Sequence, residues 1–90
     1  MRTVARTDSN HQQIVEELRQ VGAVVQSLHQ VGGGVPDLLV AYRGRNWLFE
    51  VKTPTGTLTP DEAAWHREWA VRGQVAIVRT AEQAIEVITG

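Results

Sequence analysis

Apolar side chains recur at helical spacing near the start of the chain. The stretch TDSNHQQIVEELRQV, residues 7–21, opens with four residues of types that commonly cap helices. Its apolar positions are Ile14, Val15, Leu18 and Val21. This spacing predicts an amphipathic helix over residues 7–21, and Gly22 stands where glycine often ends a helix.

Three runs with the composition of β-strands follow this helix. They are AVVQSLH (23–29), PDLLVAY (36–42) and NWLFEVK (46–52). Between the first two runs, QVGGGV indicates a loop whose glycines permit positive φ and close backbone approach. Only RGR separates the second and third runs, so Gly44 can begin a two-residue type II′ turn that Arg45 completes. The pattern predicts a β-hairpin.

A second helix is marked at both ends. After the loop TPTGT, the stretch TLTPDEAAWHREWAVRG offers Thr59 as the N-cap and Pro60 as the first helical residue. Glu62 stands three residues after Thr59, which is the spacing of a capping box. Gly73 is the expected stop.

The last predicted elements are a short buried strand, QVAIVRT, and an amphipathic helix, AEQAIEVI, which Thr80 and Gln83 cap. The element order is therefore α-β-β-β-α-β-α, with no internal repeat or interdomain linker. A chain of 90 residues has the length of one domain. We expect a single domain over residues 1–90, of the α/β class, with sheet and helices packed as a sandwich.

Composition narrows the class of protein. Hydrophobic residues make up 42% of the chain and charged residues 21%, as in soluble domains, and no apolar run approaches the ~18 residues of a membrane span. The opening MRTVARTDSN lacks an apolar leader region, and the absence of cysteine excludes disulfides and thiolate metal sites. These features predict a cytoplasmic protein without a membrane partner. The net charge of -1 gives no general attraction to nucleic acid, so any DNA contact must be local.

Three polar residues stand out in the predicted hairpin: Asp37, Glu50 and Lys52. Counting back from the type II′ turn places Leu39 opposite Glu50 and Asp37 opposite Lys52. Residues two apart on one strand share a face, so the three polar side chains project together from the open end of the hairpin. The other face takes Trp47, Phe49 and Val51.

These polar residues need compensating partners. The strand of Glu50 is apolar at nearly every other position, as expected of a strand covered on both sides. Two carboxylates and one ammonium leave an excess negative charge, which a divalent cation complements, since Mg²⁺ sites typically use one or two carboxylates, waters and phosphate oxygens. Lys52 beside such a site can orient a water or share transition-state charge. The alternative is a solvated charge cluster in which Lys52 neutralises one carboxylate.

The spacing resembles a known nuclease motif. Pro36-Asp37, a short hairpin and Glu50-Val51-Lys52 resemble the PD-(D/E)xK nuclease superfamily. The flanking stretches GGGVPDLLV and LTPDEAAWH look like the small stand-alone VRR-NUC nucleases of phages and bacterial genomes. The likeness covers most of the chain. It implies a restriction-endonuclease-like core of order αβββαβ(α), with a mixed central sheet flanked by helices.

The resemblance also implies an activity. In that family the residues matching Asp37 and Glu50 bind Mg²⁺ or Mn²⁺, with the backbone carbonyl of the residue matching Val51, while the residue matching Lys52 helps to position the attacking water. Asp37, Glu50 and Lys52 would then be catalytic in the hydrolysis of DNA phosphodiester bonds. Family members commonly act as homodimers on branched DNA such as Holliday junctions. A structure-selective, DNA-associated homodimer is the expectation here.

One departure lies in the first helix. Relatives often carry a further acidic residue near the positions held here by His11, Gln12 and Gln13, none of which is a carboxylate. His11, Gln13 and Glu17 are therefore candidate accessory residues, since His11 lies on the inner arc of the helical wheel and Glu17 flanks it. Glu17 could act through a water, and His11 as a ligand or phosphate contact. The alternative is a solvated charge at Glu17 and a boundary residue at His11.

Other features are given simpler interpretations. Gly33 and Gly34 are candidates for close approach to DNA, and because no GK[ST] follows them, no nucleotide cofactor is expected. Trp65 and Trp69, four residues apart on one helix, are expected to be core or dimer anchors. His66 is expected to be exposed, and no H-E-x-x-H pattern supports zinc.

Two alternatives to a metal-dependent DNA endonuclease stay open. One is a non-catalytic DNA-binding or assembly module that keeps the nuclease fold, and the other is a small α/β protein whose polar residues form only a buried salt-bridge network. The intact set of Asp37, Glu50 and Lys52 favours the enzyme, because a binder has little use for two carboxylates facing phosphate. Binding of a divalent metal separates the enzyme from the salt-bridge network.

Overall fold

The computed structural model describes residues 9–90, and the elements in that range follow the predicted order. The helices are α1 (Ser9–Gln20), α2 (Pro60–Trp69) and α3 (Ala81–Thr89), and the strands are β1 (Val24–Ser27), β2 (Leu38–Tyr42), β3 (Arg45–Val51) and β4 (Val75–Val78). The caps predicted at Thr7 and Asp8, and the predicted lack of a leader at the chain start, lie outside the described residues. Within residues 9–90, no helix has the length and apolar character needed to cross a membrane.

Helix α1 ends where its glycine was predicted to end it. Gly22 has a φ of +101°, a conformation that residues with a side chain rarely adopt. The backbone N–H groups of Gly22 and Ala23 donate to the carbonyls of Arg19 and Leu18, both at 3.0 Å. These bonds satisfy carbonyls of the last turn and turn the chain into β1.

Helix α2 begins with the predicted capping box. The Thr59 hydroxyl accepts a hydrogen bond from the Glu62 N–H at 3.2 Å, and the Glu62 carboxylate accepts one from the Thr59 N–H at 2.9 Å. The predicted end of this helix at Gly73 is wrong, because the helix ends at Trp69. The N–H of Gly73 donates back to the Trp69 carbonyl at 2.8 Å, so the intervening residues form a turn rather than more helix.

Helix α3 also starts at its predicted cap. The Thr80 hydroxyl accepts from the Gln83 N–H at 3.1 Å, and the Gln83 side-chain carbonyl accepts from the Arg79 N–H at 2.8 Å. Ala84 and Ile88, one turn apart, are buried on the inner side of the helix. The amphipathic pattern therefore corresponds to a docked helix.

The strands of the described range form one mixed sheet in the order β1-β2-β3-β4. The pairs β1–β2 and β2–β3 are antiparallel and β3–β4 is parallel, with α2 in the crossover between β3 and β4. One face, here called the core face, packs with α1 and α3. Its main buried side chains, with those of the two helices, are Ile14, Leu18, Val25, Leu38, Val40, Trp47, Phe49, Val51, Val78, Ala84 and Ile88. The opposite face is called the site face.

The hairpin turn lies one residue earlier than predicted. Its central residues are Arg43, with a φ of +50°, and Gly44, with a φ of +82°, and Tyr42 pairs with Arg45. Two positive φ angles are typical of a type I′ turn rather than type II′, and the twist of a type I′ turn matches that of the flanking strands. A glycine at position 44 is compatible with either turn, which is why the sequence pattern did not separate them.

The strand register consequently differs by two residues from the prediction. Leu39 pairs with Leu48, and the next position on the same face brings Asp37 opposite Glu50 instead of Lys52. Because side chains alternate with a period of two, a shift of two residues leaves every side chain on its predicted face. Asp37, Glu50 and Lys52 still project together on the site face.

Candidate active site

Asp37 is held at the entrance to β2 by bonds from two neighbouring strands. Its backbone carbonyl accepts from the Leu28 N–H at 2.8 Å. Its carboxylate Oδ2 accepts from the Val51 N–H at 2.8 Å, which ties the side chain to the end of β3. Pro36, immediately before it, is buried. The carboxylate is thereby fixed at the open end of the hairpin, beside Glu50.

Glu50 is a buried carboxyl group near the end of β3, an inner strand of the sheet. Its residue is 2% exposed, and its Oε1 is buried with no hydrogen-bond partner among residues 9–90. Burial raises the pKa of Glu50 to about 9, and the adjacent Asp37 carboxylate acts in the same direction, as does the charge of Glu62. The charge of Lys52 opposes these effects without cancelling them. Without a further cation, the carboxyl keeps its proton at neutral pH.

Lys52 lies between two carboxylates. Its Nζ is 2.7 Å from Glu62 Oε1 and 3.9 Å from Glu50 Oε2. The shorter contact is a charge-assisted hydrogen bond, whereas the longer distance is too great for one. The lysine is therefore bound mainly to helix α2 and only loosely to the strand carboxylate.

Glu62 is part of the site, although the sequence pointed to it only as a capping residue. Burial acts to raise its pKa, but the hydrogen bond from Lys52 and the bonds from Thr59 outweigh burial and hold the pKa below its usual value. Glu62 is therefore ionised at neutral pH. Its position at the start of α2 brings a third carboxylate to the site, beside Lys52.

His66 is buried, and its predicted exposure is wrong. It lies one helical turn after Glu62 and is 9% exposed, so the side of α2 that carries both residues is shielded from solvent at His66. Burial lowers the pKa of His66, so the imidazole is neutral at neutral pH. Its Nε2 is buried without a hydrogen-bond partner in the described part of the chain. The spacing of four residues from Glu62 was the available sequence signal.

The oxygen atoms at this site suit one hard divalent cation that takes only a few of its ligands from the protein. Across residues 9–90, no group of three or more His, Cys, Asp or Glu side chains is arranged to hold a metal. The adjacent carboxyls of Asp37 and Glu50 are the available ligands, and the buried Oε1 of Glu50, which has no hydrogen-bond partner within residues 9–90, could bind a cation. Two carboxylates completed by a backbone carbonyl, waters and phosphate oxygens are within the range that Mg²⁺ uses. Val51, which already bonds Asp37 through its N–H, is the predicted source of that carbonyl.

The candidate accessory residues lie on two different sides of α1. His11 is half-buried and lines a groove with Val25 and Leu38. Gln13 donates to Glu17 Oε2 at 2.8 Å, and both line a second groove beside Arg79. The structure thus does not bring His11 together with Glu17. Their accessory roles stay predictions.

Asn10 is the α1 residue that bonds to the segment carrying Lys52. Its Nδ2 donates to the Lys52 carbonyl at 3.0 Å and to the Arg79 carbonyl at 3.4 Å. Its Oδ1 is buried without a hydrogen-bond partner within the described range. In the sequence Asn10 appeared only as a helix-capping type, yet it fastens the ends of β3 and β4 to α1.

The glycine run before Asp37 has a structural explanation at one position. Gly34 has a φ of +85°, and a Cβ there would overlap the backbone carbonyl of Asp61 in the first turn of α2. Gly33 has a φ of +67°, and its Cβ position faces open space. Gly34 therefore permits α2 to pack on the loop before Asp37, while contact of Gly33 and Gly34 with nucleic acid stays a prediction.

The two tryptophans of α2 stack on each other at the surface. The rings of Trp65 and Trp69 are 4.8 Å apart and nearly parallel, with an interplanar angle of 3°. Trp69 is 47% exposed, so the expectation of a core anchor is wrong for this residue. A role for this stack as a dimer anchor is compatible with its exposure but stays a prediction.

The fold and site define an α/β protein with a mixed four-stranded sheet, flanking helices and paired carboxyls at the end of a hairpin. A solved structure described as a VRR_NUC domain is similar, with a TM-score of 0.71 and 29% sequence identity, over 87% of this chain and 88% of that chain. Neither the protein-family models nor the curated proteins give a match. The structural match supports a VRR-NUC domain and confirms the predicted resemblance and restriction-endonuclease-like fold class. It suggests a nuclease-type domain.

Proposed function

We propose that this protein is a Mg²⁺- or Mn²⁺-dependent endonuclease that hydrolyses DNA phosphodiester bonds. The observation that carries the proposal is the buried carboxyl of Glu50 beside Asp37. Its pKa, raised to about 9, means that ionisation is disfavoured until a cation arrives, and its buried Oε1 has no hydrogen-bond partner within residues 9–90. A stable charge network would leave no such oxygen, whereas a cation-binding carboxyl needs one.

Each residue has a distinct task in this proposal. Asp37 and Glu50 hold the cation with the Val51 carbonyl, and the Val51 N–H bond keeps the Asp37 carboxylate aimed at Glu50. The bound cation would supply Lewis-acid activation of water and stabilise charge on the phosphate. Lys52 presents its ammonium next to the carboxyls, where it holds the attacking water or the phosphate oxygen as charge develops. The attacking water releases a proton to solvent as its oxygen bonds to phosphorus. The bond from phosphorus to the leaving sugar oxygen breaks, and that oxygen keeps the electron pair and takes up a proton from solvent.

The substrate class we propose is branched DNA, cut by a homodimer. The net charge of -1 provides little general attraction to a duplex, so recognition would depend on shape and local contacts. One site cuts one strand, whereas two symmetric sites in a dimer could cut two. The exposed apolar surface of Trp69 and Val71 at the end of α2 supports a second copy as a partner. Such an enzyme would be cytoplasmic and DNA-associated.

The deciding experiment is a cleavage panel. End-labelled junction, flap, nicked and linear duplex DNAs are incubated with the protein and Mg²⁺, Mn²⁺ or EDTA. We expect cleavage with either metal, none with EDTA, and none by the Asp37→Asn variant, which keeps a side-chain acceptor for the Val51 N–H. Paired cuts in the junction would support the homodimer. Equal cleavage of all four DNAs would remove structure selectivity while leaving the nuclease.

One observation favours a second candidate, a non-catalytic DNA-binding or assembly module. Lys52 is bound more closely by Glu62 than by Glu50, so part of its hydrogen-bonding capacity is committed to the helix. Binding of DNA by a folded protein that cleaves no substrate with any metal would establish this alternative. Failure to bind either DNA or metal would leave the buried salt-bridge network as the explanation of the site.

A further inference from the structure

The ion pair between Lys52 and Glu62 determines whether the Lys52 ammonium is available to bind Glu50. Both side chains are largely shielded, at 17% and 20% exposure, and their Nζ and Oε1 atoms are 2.7 Å apart. The same Nζ is 3.9 Å from Glu50 Oε2. A small rotation of the lysine stem would bring Nζ into hydrogen-bonding distance of Glu50, so the two carboxylates compete for one ammonium.

Glu62 is a rigid partner in that competition. Its Oε1 accepts the Thr59 N–H at 2.9 Å as well as the Lys52 ammonium, so the capping box fixes the carboxylate. The close packing of Gly34 against Asp61 fixes the first turn of α2 to the loop that precedes Asp37. The position of Glu62 relative to the hairpin is therefore set by backbone contacts.

The charges of the cluster match one divalent cation only when Glu62 is counted. Asp37, Glu50 and Glu62 carry three negative charges when ionised, and Lys52 carries one positive charge. The pair of Lys52 with Glu62 is neutral, which leaves two negative charges on Asp37 and Glu50. His66, buried and neutral, adds no charge.

We propose that Glu62 is a positioning residue that holds Lys52 away from Glu50, so that Asp37 and Glu50 both stay available to the divalent cation. The inference rests on the proposed metal-dependent function and extends it to a residue of α2. Without the Glu62 charge, Lys52 turns to Glu50 and occupies the carboxylate as an internal competitor of the metal. The lysine that assists cleavage is thus kept from inhibiting metal binding.

The test is calorimetric titration of Mn²⁺ into the full chain, with no DNA present. The Glu62→Gln variant keeps a side-chain oxygen for the Thr59 N–H and loses the negative charge. We expect its Mn²⁺ affinity to fall by about three- to fivefold, the upper end of the scale for a partly shielded ion pair. The Lys52→Met background removes the competing ammonium, and there Glu62→Gln should lose most of its effect.

Thr59→Ala is the matched control. It removes the capping hydroxyl and leaves the Glu62 carboxylate and Lys52 in place, so thermal stability should fall while Mn²⁺ affinity stays within about twofold of wild type. Circular dichroism confirms that each variant is folded. An affinity loss in Thr59→Ala as large as in Glu62→Gln would assign the effect to helix α2 and overturn the charge-based role.

The outcomes separate this inference from the function on which it rests. If wild type binds Mn²⁺, Asp37→Asn does not, and Glu62→Gln binds as wild type does, the role of Glu62 is overturned and the metal site stands. Glu62→Gln could instead lower the Mn²⁺ affinity by the same factor whether position 52 holds Lys or Met. That result would also overturn the role of Glu62, because a direct effect of its charge on the cation needs no lysine. If wild type binds no Mn²⁺, both the inference and the metal-dependent function fail.

Discussion

Phe49 and Glu50 are neighbours in β3 and are almost equally buried, but their burial has opposite consequences. Phe49 is 0% exposed on the core face, and Glu50 is 2% exposed on the site face. Burial of the phenyl ring removes apolar surface from water and stabilises the fold by about 25 cal/mol per Å². Burial of the carboxyl removes its hydration and is the first cause of its raised pKa.

One strand can thus serve stability through one face and chemistry through the other. The core face needs only apolar groups of suitable volume. The site face holds a carboxyl in an environment that disfavours its charge, and the neighbouring Asp37 makes that environment worse. A group under such conditions responds strongly to any cation that reaches it.

The largest effect is expected from two adjacent leucines of β2. Leu38 is 1% exposed on the core face, and Leu39 is 38% exposed on the site face. Leu38→Ala should lower the free energy of unfolding by about 2–5 kcal/mol, because it leaves a cavity in a close-packed core. Leu39→Ala should lower it by less than about 1 kcal/mol, since its side chain stays partly in water. Urea unfolding followed by tryptophan fluorescence measures both.

Each leucine variant is the control for the other, because both positions lie on β2 and both lose the same side chain. Equal losses would mean that the site face is covered as fully as the core face. For Leu39→Ala, a loss that grows with protein concentration would indicate that a second copy covers this residue.

Lys52 should matter for cleavage and little for stability. Lys52→Met keeps most of the aliphatic stem and removes the ammonium that lies 3.9 Å from Glu50 Oε2 and 2.7 Å from Glu62 Oε1. We expect the cleavage rate to fall about 10²–10³-fold, the usual loss for one charge-stabilising group, or ~3–4 kcal/mol of activation free energy. The unfolding free energy should change by no more than about 1 kcal/mol. Single-turnover cleavage of labelled DNA at saturating metal gives the rate, and a folded variant that cleaves normally would remove Lys52 from the mechanism.

The raised pKa of Glu50 should make the metal-free protein less stable as pH rises. Between the usual pKa of 4.5 and the folded value of about 9, the folded protein keeps this proton while the unfolded chain has released it. The folded state binds more protons, so the free energy of unfolding falls with rising pH, by up to about 1.4 kcal/mol per pH unit. His66 has a lowered pKa and gives the opposite slope, but only below its usual value of 6.5.

The measurement is therefore urea unfolding in EDTA from about pH 7.5 to pH 9, where His66 is almost entirely neutral in both states. Glu50→Gln supplies the control, because its amide does not titrate and should give a much flatter profile. A wild-type profile as flat as that of the variant would show that Glu50 titrates normally and that the proposed destabilised carboxyl does not exist.

The sequence predicted the local structure more completely than it predicted the site. Caps at Thr59 and Thr80 and the alternation of Asp37, Glu50 and Lys52 depend on neighbours in sequence, and all were predictable. The contact of Glu62 with Lys52 depends on how α2 returns over the sheet after β3. No periodicity encodes that placement, so the third carboxylate was missed.

The burial of His66 was missed for the same reason. In α2 the spacing from Glu62 to His66 identified a shared helix side, but only the packed structure shows that His66 on this side is buried. The hairpin register was missed for a different reason. A single Gly44 fits both two-residue turns, and the choice between them depends on strand twist.

The smallest effect expected is also the test of that register. Arg43, with a φ of +50°, occupies the first position of the type I′ turn, where asparagine is preferred and arginine is strained. Arg43→Asn should therefore stabilise the protein by about 0.5 kcal/mol, after allowing for loss of the Arg43 contact with the Tyr42 ring. Arg45 pairs with Tyr42 as a strand residue, so Arg45→Asn should be destabilising by a similar amount. In a type II′ turn at residues 44 and 45, position 43 would belong to a strand and the two signs would be reversed. Urea titrations of the two variants thus determine whether Asp37 lies opposite Glu50 or opposite Lys52. If Arg45→Asn stabilises the protein and Arg43→Asn destabilises it, the register on which the site geometry depends is contradicted.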